Sequence, residues 1–255
     1  MTGSRNLFNH YKTEADRITR QKNMKETELK AAQDAISEAI YAHAKELGFD
    51  KEPITDGVCD IEGYLKSNPK VMWILKEPNG QLANGELEDG GWSIVEESFK
   101  NDIEGVAKIK SWQPIIYVMH GYLNEQMYND MDYIRDKIDM AKVLQKIAYI
   151  NVSKMPGYRS SYDNNIEYCY TQWKPILERQ IETYAPDVII FGKTFEHFRS
   201  HFEKQGLEKI DNFPGWIDVY KSCNHILFDA YHPARKGQEY IDTLIEALNK
   251  YFPTK

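Results

Sequence analysis

The sequence predicts an α/β fold, a three-layer α/β/α sandwich around a mainly parallel central sheet of about four strands, with an N-terminal helical extension. Three observations carry that expectation. Four short apolar runs, near Val71, Ile147, Asp187 and Ile226, each end at glycine, proline or polar residues. Runs this short, bounded by turn formers, read as buried strands rather than helices. The run Val71-Met72-Trp73-Ile74-Leu75 is apolar on both alternating faces, as a central parallel strand covered on both sides must be. Helical segments separate the runs, so the connections are crossovers that leave neighbouring strands parallel.

Taken in order, residues 1–22 are polar, with Thr13 and Asp16 as a weak helix start. A clear helix begins after Asn23. Leu29, Ala32, Ile36, Ala39, Ile40, His43 and Leu47 share one face, and Gly48 supplies the stop. His43 lies in that stripe and reads as a partly buried helix residue. Residues 50–68 form a loop-rich approach, and Pro69 hands over to the Val71 strand. A glycine-containing loop spans 79–91, followed by an expected helix from Trp92 to Gly105 and two more over Lys108–Tyr128 and Met131–Lys146. The later strands are Ile147–Val152, Asp187–Phe191 and Ile226–Ala230, and a helix from Gln238 to Tyr251 closes the chain. These boundaries divide it into an extension, residues 1–68, packed on a core domain, residues 69–255.

Composition narrows the function classes. With 42% hydrophobic and 28% charged residues, the chain reads as a globular protein with one sizeable core. No apolar signal core or membrane-length run is present, which predicts a cytoplasmic protein without a membrane partner. Cys59, Cys169 and Cys223 are widely separated and match neither a disulfide framework nor a metal motif. His197 and His201 stand four apart, a spacing that can hold a metal, but no third ligand lies nearby in sequence and they read as a solvated helix face. No metal or cofactor is expected. A formal net charge of -7 disfavours broad nonspecific nucleic-acid binding while leaving room for a local basic rim.

The strand ends carry the chemistry. Glu77 follows the Val71 strand, Asn151 ends the Ile147 strand, and His232 follows the Ile226 strand. A carboxylate, an amide and an imidazole at one sheet edge supply a base or charge stabiliser, a reader of a planar ligand and a hydrogen-bond donor. The structural alternatives are a surface turn for Glu77, a loop cap for Asn151 and a loop-bonded ring for His232.

The ordered set Leu75-Lys76-Glu77-Pro78, Asn151-Val152-Ser153-Lys154-Met155-Pro156, Pro186-Asp187-Val188-Ile189-Ile190-Phe191-Gly192 and Ala230-Tyr231-His232-Pro233-Ala234 resembles the uracil-DNA glycosylase superfamily. The resemblance runs from Val71 to the C-terminus. It implies that Glu77 activates water or stabilises the sugar cation, that Asn151 reads the uracil edge, and that His232 donates to the uracil O2. Trp92 then stands where an aromatic stacks on the flipped base, and Lys154, Arg159, Arg235 and Lys236 become candidate nucleic-acid contacts. The sequence departs from the family where Leu75 replaces a glycine and Lys76 adds a charge beside Glu77. The implied partner is DNA or another nucleobase-containing ligand. The implied activity is hydrolysis of the N-glycosidic bond of uracil or a related deaminated base; a non-catalytic nucleobase or nucleic-acid binding module and a small-nucleoside hydrolase remain as alternatives.

Overall fold

The structure, a computed structural model, describes residues 25–78, 82–83, 86–87, 90–157 and 163–254. Helix α1 (Glu26–Glu46) buries Leu29, Ile36 and Ile40 of the expected stripe, together with Gln33 and Ala44, while Ala32, Ala39 and His43 are only partly buried. Just past its end Gly48 takes φ 74°, the left-handed backbone that a helix stop favours and glycine adopts without a Cβ clash. The two-residue strand β1 (Gly57–Val58) and helix α2 (Ile61–Lys66) follow. Asp60 starts α2 by accepting from the Gly63 N–H at 2.8 Å, as an N-cap carboxylate does. Strand β2 (Val71–Leu75) has all five residues buried. A small hairpin of β3 (Leu82–Ala83) and β4 (Glu86–Leu87) comes next.

The region between β2 and the next long strand departs from expectation. Where one helix is predicted from Trp92, a π-helix over Ile94–Lys100 gives way to α3 (Ile103–Lys108). Asp102 restarts the helix by capping Gly105 at 2.9 Å, which is what divides the segment. The expected Lys108–Tyr128 helix shortens to α4 (Gln113–Asn124), with Pro114 in its first turn, where proline is tolerated. The expected Met131–Lys146 helix survives only as a 3₁₀ segment, Ile138–Lys146. Asp132, Asp136 and Asp139 crowd this stretch, and aspartate inside a helix competes for backbone bonds. Ile134, Ala141 and Leu144 are nonetheless buried, so the segment keeps an apolar face although it winds differently.

The remaining elements are β5 (Ala148–Asn151), α5 (Asp163–Tyr184), β6 (Val188–Gly192), α6 (Phe195–Glu203), β7 (Glu208–Phe213), β8 (Ile217–Lys221), β9 (Ile226–Ala230) and α7 (Gln238–Tyr251). Among the described residues seven strands form a mixed sheet in the order β1-β5-β2-β6-β9-β8-β7. Its centre, β5-β2-β6-β9, is parallel and consists of the four strands predicted. The expected count of about four is corrected by β1, antiparallel on β5, and by β8 and β7, antiparallel beyond β9. β1 is too short to show a pattern. β7 is mostly exposed and carries Glu208, Lys209 and Asp211, the charged character of an edge strand that resists further pairing.

Alternation along β2 divides the interior. Val71, Trp73 and Leu75 face one cluster with side chains of α4 and α7. Met72 and Ile74 face the other, with α1, α5 and α6. Residues 25–68 thus add α1 to a helical layer and β1 to the sheet. In chain order the parallel strands stand 2-1-3-4, so the path runs from β2 to β5 and then returns past β2 to β6. That reversal is the switch point at whose carboxyl ends ligands bind in open α/β sheets. Register keeps those ends level, with Leu75 opposite Asn151 and Gly192 opposite Ala230.

Gly192 is where strand ends approach most closely. A Cβ built there would stand 2.3 Å from Leu75 Cδ2 and 3.1 Å from Pro233 Cδ. Gly192→Ala is therefore expected to lower unfolding stability by about 1–3 kcal/mol through overpacking, as measured by urea denaturation.

Candidate functional site

Asn151 ends β5 with its backbone held on both sides by charge. Its N–H donates to Asp56 Oδ2 at 2.8 Å, and its C=O accepts from Lys154 Nζ at 2.8 Å. Lys154 also reaches both Asp56 oxygens, at 2.9 and 2.8 Å, and Gln180 Oε1 at 2.8 Å. Gln180 Nε2 returns a bond to Asp56 Oδ1 at 2.7 Å. Lys154 is 0% exposed. The expectation that it contacts nucleic acid is thereby corrected: its ammonium is spent on internal partners, and burial lowers its pKa against the pull of Asp56.

While its backbone is clamped, the Asn151 side chain is left open. It is 1% exposed, yet neither Oδ1 nor Nδ2 has a hydrogen-bond partner of good geometry. It lies near the Tyr149 hydroxyl, two residues back on the same strand face. An unpartnered buried amide costs about 1–3 kcal/mol. A primary amide offers one acceptor and two donors in one plane, the complement of a planar ring with alternating carbonyl and N–H groups.

Glu77 lies two residues beyond β2. A Cβ built on Gly157 would fall 2.5 Å from Glu77 Cδ and 2.6 Å from Cγ, so the glycine makes the room in which this carboxylate rests. The backbones are tied, with Gly157 N–H donating to Pro78 O at 2.9 Å and Ser153 N–H to Lys76 O at 2.9 Å. Burial pushes the Cys169 thiol up, and the nearby Glu77 carboxylate adds to that push.

His232 follows β9 at the same edge. Its Nδ1 accepts from the Ala234 N–H at 3.2 Å, which fixes the proton on Nε2 and makes Nε2–H the donor available to a ligand. Burial, then Lys76 and Lys236, push its pKa down to about 4. The ring is neutral near pH 7, and Lys76 stands close enough to help keep it so. Asn151 and His232 are carried by strands three places apart, roughly 14 Å between backbones at ordinary strand spacing. Between them the Leu75 side chain and the Pro233 ring both lie close over Gly192, forming the floor.

The other sequence-derived candidates are less central. Trp92 is half-buried against the Tyr149 side of the core, and its C=O accepts from Thr55 N–H at 3.0 Å, a packing position beside the segment that supplies Asp56. Arg235 and Lys236 follow His232 and line a cleft of about 300 Å³. Arg159 lies outside the described residues. His201 spends Nδ1 on Glu178 at 2.9 Å and Nε2 on Gln205 at 3.0 Å, while His197 stacks on Tyr170. Among the described residues no three His, Cys, Asp or Glu side chains gather as a metal site.

Asp56, Gln180 and Gly157 escaped the sequence reading. Asp56 had a signal, a single carboxylate in Ile54-Thr55-Asp56-Gly57-Val58. Gln180 had none. Asp229 was missed as well; it lines a second cleft, about 270 Å³, with Lys193, Trp216 and Asp218, and burial, then Glu196 and Asp218, push its carboxyl up to about 6. No protein-family model matches the chain, and no curated protein matches it significantly in sequence.

Two outcomes are expected. Lys154→Met leaves Asp56 buried without its cation and should cost about 3–5 kcal/mol in urea denaturation, whereas Asp56→Leu with Lys154→Met together should recover much of the loss. His232 has a folded pKa below its ordinary value, so below pH 6.5 the unfolded chain takes up a proton that the folded chain refuses until about pH 4. Stability should therefore fall as pH drops through that window, and His232→Gln should flatten this part of a Tm-against-pH curve.

Proposed function

We propose that this protein is a DNA glycosylase-like enzyme of the uracil-DNA glycosylase type, a three-layer α/β/α domain hydrolysing the N-glycosidic bond of uracil or a related deaminated base. The observation that carries the reading is the Asn151 amide, buried and without a partner, on the same sheet edge as a neutral His232 and the Glu77 carboxylate. Breaking the bond between C1′ and the base nitrogen leaves the electron pair on the base and positive charge on the sugar. The anionic base oxygen then accepts a hydrogen bond from His232 Nε2–H, and the ring keeps its proton. Glu77 faces the developing cation, and as water adds to C1′ its carboxylate receives the displaced proton and passes it to solvent. Donors and acceptors held in place before charge develops stabilise the transition state without reorganising.

A neutral histidine suits this division of labour. A protonated ring would give its proton away or repel Lys76 and Lys236, whose charges favour an anionic leaving base. Asn151 selects the base by its edge. A base in a strand must first leave the stack to meet these groups, and Arg235 and Lys236 beside His232 offer positive charge for its backbone.

Leu75 and Lys76 favour a second reading, a nucleobase-binding module without catalysis. Leu75 fills space at the floor of the edge, and Lys76 shares a loop with Glu77. Release of free base from uracil-containing single- and double-stranded oligonucleotides separates the two: wild type is expected to release base, and binding without release selects the module. In the active enzyme Glu77→Gln and His232→Ala should each lower kcat by about 10²–10³-fold with smaller changes in substrate affinity. Gly157→Ala, whose three nearest contacts are all atoms of the movable Glu77 side chain, should lower kcat while leaving Tm within a few degrees of wild type.

A further inference from the structure

On the far side of the His232-Pro233 turn is a cleft of about 300 Å³ whose lining includes Lys110, Tyr117, Tyr133, Arg135, Arg235 and Lys236 and no carboxylate. The chain as a whole carries 39 acidic against 32 basic residues, so four cations on one small concave surface are a local reversal of sign. The walls are built. Tyr117 Oη accepts from the Ile134 N–H at 3.1 Å, and its ring meets Tyr128 edge-on at 5.0 Å. Tyr133 is 58% exposed, with the Arg135 guanidinium 4.8 Å from its ring centre. Arg235 takes φ 61°, a left-handed conformation that non-glycine residues rarely adopt.

From these features we infer that the cleft binds single-stranded nucleic acid, with Lys110 and Arg135 on phosphates and the Tyr133 ring as a stacking platform. Two observations argue for this chemistry. Cations alone would accept any polyanion, but exposed tyrosine beside cations matches a backbone that carries flat rings, the combination found in single-strand grooves. The cleft also adjoins the site: Lys236, one of its cations, is close enough to His232 to depress that ring. A strand whose base sits between Asn151 and His232 would pass Arg235 and Lys236 and continue toward Arg135 and Lys110. Carboxylates stand nearby: Asp132 is paired with Lys137 at 3.1 Å, the Arg135–Asp136 contact, at 3.5 Å, is an exposed pair of the kind that contributes little, and Asp242 accepts from the Tyr128 N–H at 2.7 Å, against four cations on the lining.

The route of the strand rests on the function proposed above; the binding does not, and the test separates them. The probe is a fluorescent oligothymidylate of about twelve residues, without uracil, titrated by anisotropy across a salt series. Wild type is expected to bind it at low salt. Lys110→Ala with Arg135→Ala should weaken binding about tenfold or more and reduce the slope of log K against log salt by about 1.4, two phosphate contacts at 0.7 each. Tyr133→Ala should weaken it about tenfold with the slope unchanged. All three residues lie outside the catalytic set, so base release from a free uridine nucleoside should be unaltered wherever wild type shows it. The inference is overturned if wild type does not bind the oligothymidylate, or if the variants bind as wild type does. It is also overturned in favour of an acidic polypeptide if polyglutamate displaces the probe as well as oligothymidylate does while Tyr133→Ala has no effect. Oligothymidylate binding that responds as expected, without base release from any uracil-containing strand, keeps the cleft and removes the glycosylase.

Discussion

The ion pair between Lys154 and Asp56 is the constraint on which the site depends. Buried charges are expensive, and a well-packed apolar pair of similar size is often as stable or more so. Here the pair is dry, and its donors and acceptors go to the Asn151 backbone, to Gln180 and to each other. It thereby joins three parts of the fold: the segment entering β1, the end of β5 and the C-terminal part of α5. The charged pair fixes the Asn151 backbone through both its N–H and its C=O, while the amide side chain takes no part in the network and makes no well-formed hydrogen bond, with the Tyr149 hydroxyl beside it.

The rest of the edge is arranged around missing side chains. Gly192 lets Leu75 and Pro233 meet, bringing the ends of β2 and β9 together across β6. Gly157 lets the Glu77 side chain lie back against the loop after β5. In both cases a glycine, one ending β6 and one in the loop after β5, accommodates a side chain from another segment, so each position is set by sterics between segments far apart in sequence. Electrostatics then tunes what sterics has placed. Lys76 and Lys236 flank His232 and, with burial, keep it neutral, so one ring nitrogen accepts from the backbone and the other keeps its proton.

The legible part of this protein is the part that repeats a pattern. The four parallel strands show in the sequence because burial on two faces demands unbroken apolar runs, and α1 and α7 show because one buried stripe demands a 3.6-residue period. Glu77, Asn151 and His232 lie at one edge because a parallel sheet gathers its carboxyl ends there, so residues after apolar runs are brought to the same edge whatever their sequence distance. β7 does not show, since an exposed edge strand has no apolar pattern to display. The 3₁₀ segment before β5 has the right buried residues and the wrong predicted winding, because apolar spacing of three or four fits both helices and aspartate decides between them. Lys154 was misread for the opposite reason: a lysine in a Ser-, Pro- and Gly-rich loop is ordinarily solvated, and only the distant Asp56 and Gln180 make its burial possible.

The burial of Lys154 also bears on where positive charge remains at this edge. With Lys154 turned inward, the positive charge beside the site comes from Lys76, from the turn after His232 and from the cleft beyond it. The Asn151 amide is on the opposite side, at the end of β5. A ligand that satisfies both must enter its ring between β5 and β9 while its backbone stays near β9, which orients it across the carboxyl edge. A free base would meet the amide, the imidazole and the charge of Lys76 and Lys236 beside that ring, but not the further cations of the cleft. Under the proposed function, this separation of amide and cations would favour a ring attached to a charged backbone over a base or nucleoside alone, in a protein whose total charge is negative. Overall acidity in such a protein weakens attachment everywhere except where the cations cluster, so charge distribution rather than charge total sets the partner.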